Sequence, residues 1–133
     1  MTAPVQHPMF IDGQFVSWQG EGWLDVINPA TEEVLARIPD GRAEDARKAI
    51  EAAERAQPGW EALPAIERAG WLRKIAAGIR DKASEISALI VAEGGKIQQL
   101  ADVEVSFTAD YIDYMAEWAR RYEGEILQSD RPN

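Results

Sequence analysis

Apolar residues along the chain follow two different periods. From residue 9 to 39 they come in short runs separated by turn-forming residues, and from 43 to 122 they recur every three or four positions. The first texture predicts short strands and the second amphipathic helices. Met9-Phe10-Ile11 and Phe15-Val16 flank Asp12-Gly13-Gln14. Asp-Gly between apolar β-formers predicts a hairpin, because the tight turn that matches strand twist needs positive φ. Residues 24–27 form a second strand candidate, stopped by Asn28-Pro29. Ala30-Thr31-Glu32-Glu33 turns the chain into a third, residues 34–38, which Pro39-Asp40-Gly41 ends.

Three main helices are expected after that. In the first, residues 43–57, Ala46, Ala49, Ile50, Ala53 and Ala56 share one stripe. Glu44 and Asp45 sit in its first turn, where the helix dipole favours anions, and Pro58-Gly59 is expected to stop it. The second begins at Pro64 and carries Leu72, Ile75, Ile79, Ile86 and Ile90 as its core stripe. The neighbourhood of Gly78 and Asp81 marks where it bends or breaks, and Gly94-Gly95 supplies a left-handed stop. The third, residues 98–122, presents Leu100, Val103, Phe107, Tyr111, Tyr114 and Trp118 at helical spacing, which reads as a packed face. Residues 125–128 look like a strand just beginning, and 129–133 are turn-type. An isolated strand leaves backbone groups unpaired, so the chain is expected to be the opening stretch of something larger. Residues 1–8 carry no pattern and are expected to be flexible.

Composition narrows the chemistry. The 133 residues suffice for one domain with a modest core. The formal charge of −9 argues against nucleic acid, because basic residues such as Arg47 and Lys48 are interleaved with acids rather than gathered on a face. No apolar run is long enough for a membrane span, and the first residues lack a basic start with an apolar stretch, so a cytoplasmic protein is expected. Without cysteine there is no thiol nucleophile, thiolate metal site or disulfide. The lone His7 lies near the chain start, so no Ser-His-Asp or Cys-His arrangement can be assembled.

The remaining motifs have plainer readings. Glu93-Gly94-Gly95-Lys96 looks like a phosphate loop but lacks the spaced first glycine and the Ser/Thr, and it closes a helix. No G-x-G-x-x-G is present. Asp110, Asp113 and Glu117 fall on one polar helix face, with Asp102 and Glu104 on the same helix, and read as a solvated face. Trp18 and Trp23 flank a Gly-containing loop and either cover a core or await another surface. No residue is assigned a catalytic, cofactor-binding or metal-binding role.

The order of pieces resembles a known family. Residues 10–16 (FIDGQFV), 27–34 (INPATEEV), Ile38-Pro39, 49–53 (AIEAA), Trp60, Glu67-Arg68, 72–75 (LRKI), Glu93-Gly94-Gly95-Lys96 and Glu104-Val105 are similar to the start of the NAD(P)-dependent aldehyde dehydrogenases. The resemblance covers essentially the whole chain. It implies an α/β fold with a Rossmann-type cofactor domain, of which residues 1–133 would be an incomplete N-terminal part. It also implies oxidation of small aldehydes to carboxylic acids with NAD. The family's cysteine nucleophile, oxyanion-holding asparagine, glutamate base and cofactor ligands match no position here, so NAD is expected for the whole enzyme and not for this chain alone. Glu93 matches a structural motif rather than the family's catalytic glutamate. Ile27 and Glu104 match positions that in some members hold a structural monovalent cation, through a backbone carbonyl and a carboxylate. The partners implied are the remainder of the enzyme and further copies in a homo-oligomer. A non-catalytic helical interaction module and the remnant of a disrupted gene are the alternatives.

Overall fold

The computed structural model describes residues 3–18, 20 and 22–125. Its amino-terminal part is built from five short strands, Val5–Gln6 (β1), Met9–Ile11 (β2), Gln14–Val16 (β3), Trp23–Ile27 (β4) and Val34–Pro39 (β5). β2 and β3 form the expected hairpin, Met9 facing Val16 and Ile11 facing Gln14. Asp12 and Gly13 both have positive φ, 55° and 74°, as a two-residue turn of this kind requires. β4 and β5 pair antiparallel, with an irregularity at Val26/Ile27. β1 lies parallel on the other side of β5, Val5 facing Ala36, so the sheet order is β1-β5-β4. Part of the 1–8 segment, expected to be flexible, is therefore tied down: the His7 N–H also donates to the Arg37 carbonyl at 2.9 Å.

Four helices follow among the described residues rather than three: Ala43–Glu61 (α1), Ala65–Asp81 (α2), Ala83–Gly94 (α3) and Gln98–Glu117 (α4), with a 3-10 turn at Trp118–Arg120. The expected second helix breaks at Lys82, whose φ of −105° and ψ of 16° leave the helical range. The break costs little backbone bonding, because the Lys82 N–H still reaches the Gly78 carbonyl and its own carbonyl accepts from Ile86. α1 does not stop at Pro58 but runs one turn further. Proline removes a single N–H, and the orphan carbonyls beyond it are satisfied by Arg68, whose Nη1 donates to Glu61 O at 2.8 Å and Leu63 O at 2.9 Å. The third expected helix ends regular α geometry at Glu117, five residues early. Of the strand expected at 125–128, Glu125 belongs to no regular element and the rest lies outside the described residues.

The core also differs from the expected stripes. It is a seam of small residues: Ala69 and Ala76 of α2 and Ala101, Val105, Ala109 and Ala116 of α4 are buried where the two helices pack, with Ser87 buried on α3; Ala52 of α1 is buried apart from them, on the helix that packs against β2. Alanine lets helix backbones approach closely, and that sets the arrangement of α2, α3 and α4. Several of the periodic large residues face outward instead. Ile50, Ile75, Leu100, Val103, Phe107, Tyr111, Tyr114 and Trp118 are exposed, contrary to the packed faces expected for them, whereas Leu72, Ile79, Ile86 and Ile90 of the second expected stripe are half-buried. Periodicity identified an apolar face on each helix but could not say what covers it.

Candidate functional site

His7 is exposed and engaged through its backbone. Glu93-Gly94-Gly95-Lys96 ends α3 as a C-cap. Gly95 adopts φ 65° and its N–H donates to Val91 O at 3.0 Å. A Cβ at Gly95 would stand 3.0 Å from Pro29 Cγ, so this loop packs against the Asn28-Pro29 turn that follows β4. The Lys96 ammonium is committed to the Glu104 carboxylate of α4.

That pairing bears on the cation positions. Ile27 ends β4, and its turn touches the loop that carries Lys96. The structure thus brings the two segments into one neighbourhood, but Glu104 faces a side-chain cation of its own chain. Among the described residues no group of three His, Cys, Asp or Glu side chains gathers as metal ligands.

Two polar clusters missed in the sequence link the helices. Ser87 of α3, 1% exposed, donates to Asp102 of α4 and accepts from Gln98 Nε2 at 2.6 Å, while Gln98 also donates to Asp102 Oδ1 at 2.8 Å. The signal was present but faint: Ser87 is a polar residue on the inward side of an otherwise apolar turn. The second cluster reinterprets the acidic face of α4. Arg80 of α2 donates through Nη2 to Asp110 at 2.7 Å and through Nη1 to Asp113 at 2.8 Å. The i,i+3 spacing presents two carboxylates to one guanidinium fork. The bond to Asp110, then that to Asp113, holds the Arg80 pKa above its ordinary value.

The hydrogen bond from Ser87, followed by that from Gln98, holds the Asp102 carboxyl below the ordinary carboxylate range. A lowered folded pKa means that the contribution is complete above the ordinary value and is lost as pH falls through the lowered one. The stability difference between the native chain and Asp102→Asn, read from urea melts, should hold steady at neutral pH and shrink below about pH 4. Ser87→Ala should cost about 1 kcal/mol at neutral pH.

A hollow of about 300 Å³ beside the hairpin is lined by Met9, Ile11, Trp18, Arg42, Glu44 and Lys48 among others, with the Arg42 guanidinium 5.9 Å from the Trp18 ring centre. Its acids sit among its bases, which does not suit a dinucleotide pyrophosphate. A second hollow, of about 330 Å³, contains Arg80, but both of that guanidinium's outer nitrogens are spent on aspartates. No described helix is long and apolar enough to cross a membrane.

The most distinctive surface is apolar. Along α4, Phe107 and Tyr111 stack at 6.0 Å and 19°, Tyr111 and Tyr114 at 6.1 Å and 29°, and Tyr114 meets Trp118 edge-on at 6.5 Å. This ladder lies on the side of the helix opposite the buried alanine seam and is exposed. Such a patch marks an interaction face more readily than a reaction centre.

The chain is similar to dehydrogenases in sequence and in fold. The family model described as "Aldehyde dehydrogenase family" matches residues 15–133. Lactaldehyde dehydrogenase of Escherichia coli K12 is 83% identical over 132 residues, covering 99% of this chain and 28% of that protein. The 3,6-anhydro-alpha-L-galactose dehydrogenase of Vibrio sp. EJY3 is 42% identical over 128 residues, covering 96% of this chain and 27% of its own length. The crystal structure of E. coli lactaldehyde dehydrogenase superposes with a TM-score of 0.94 at 82% identity, over 98% of this chain and 27% of that one. The chain thus spans a little over a quarter of the length of the relatives it matches, and its mostly helical architecture with short strands is that of their corresponding part.

Proposed function

Because this chain belongs to the aldehyde dehydrogenase family, we propose that it is the N-terminal part of an NAD-dependent enzyme that oxidises small aldehydes, lactaldehyde or glycolaldehyde, to their carboxylic acids. The observation that carries the reading is the match to lactaldehyde dehydrogenase along 99% of the chain. In this reading residues 1–133 are an incomplete portion of the cofactor-binding domain, the partners are the remainder of the enzyme and its further copies, and the location is cytoplasmic.

Oxidation of an aldehyde to a carboxylate consumes water and delivers a hydride to the nicotinamide. That chemistry calls for a nucleophile, a base and donors for the oxyanion. With no cysteine, the chain holds no thiol that could be the nucleophile. Its own contribution is scaffolding: the alanine seam, the Arg80 fork and the Ser87 clasp fix α2, α3 and α4 relative to one another, and the outward faces are left for whatever they meet.

The test measures NADH absorbance with NAD and lactaldehyde or glycolaldehyde. The 133-residue chain alone should give no turnover above the blank, and the same chain continued by a downstream dehydrogenase segment should turn over. Turnover by the chain alone would overturn the scaffold reading, and inactivity of the continued chain towards both aldehydes would overturn the substrate reading. One observation favours a second reading, a non-catalytic interaction module: the row of exposed aromatics on α4.

A further inference from the structure

We draw no further inference here: the strongest candidate, the exposed aromatic face of α4 from Phe107 to Trp118, is an unpartnered apolar surface on a chain that spans a little over a quarter of its relatives' length, and nothing in the structure shows what covers it.

Discussion

Ala109→Leu should destabilise the chain by about 3 kcal/mol, the upper part of the range for overpacking. Ala109 is 0% exposed, in the middle of α4, where α4 lies against α2 and its buried Ala76. Alanine places only a Cβ in that gap, so the helices approach almost backbone to backbone. A leucine adds three carbons with no void to receive them, and its apolar gain cannot be realised without separating the helices. Separation would also stretch the Arg80 fork to Asp110 and Asp113. The check is urea unfolding followed by circular dichroism, with Ala77→Leu on the exposed side of α2 as the control. Equal midpoints for the two variants would show that the seam is loose.

Gly95→Ala ranks second, with an expected loss of about 2 kcal/mol from two independent sources. The residue ends α3 at φ 65°, where an L side chain is strained by about 1–2 kcal/mol. The new methyl would also stand 3.0 Å from Pro29 Cγ, in a rigid ring that cannot swing aside. Only the second source acts between distant parts of the sequence. Pro29→Ala should therefore relieve part of the Gly95→Ala penalty in a double-mutant cycle. Strictly additive melts would locate the whole cost in the backbone of Gly95.

Most of the local structure was legible in the sequence because its causes are local. Asp12-Gly13 announced a hairpin, and the structure gives both residues positive φ. Gly94-Gly95 announced a left-handed stop. Gly78 and Asp81 flagged the region in which the long helix breaks, although the break falls at Lys82. What stayed illegible depends on distant partners. Pro58 reads as a terminator until Arg68 is seen to satisfy the carbonyls beyond it. The acids of α4 read as solvated until Arg80 is placed 30 and 33 residues away from them. The large apolar stripe of α4 reads as core because pattern alone does not distinguish a covered face from an uncovered one. Alanine, the residue that does form the seam, is common enough in helices to carry little signal. The aromatic face of α4 required coordinates.

The way α1 is attached has a consequence for how the molecule breathes. α1 buries a single residue, Ala52, and otherwise rests on β2, the Arg55–Asp12 ion pair and the two bonds that Arg68 makes at its end. α2 and α4 share a continuous buried seam. Backbone amides open to solvent at a free energy set by the contacts that must be undone. The helical part therefore has two tiers of protection against amide exchange: α1 can detach and re-anneal as one cooperative unit while α2 and α4 stay closed.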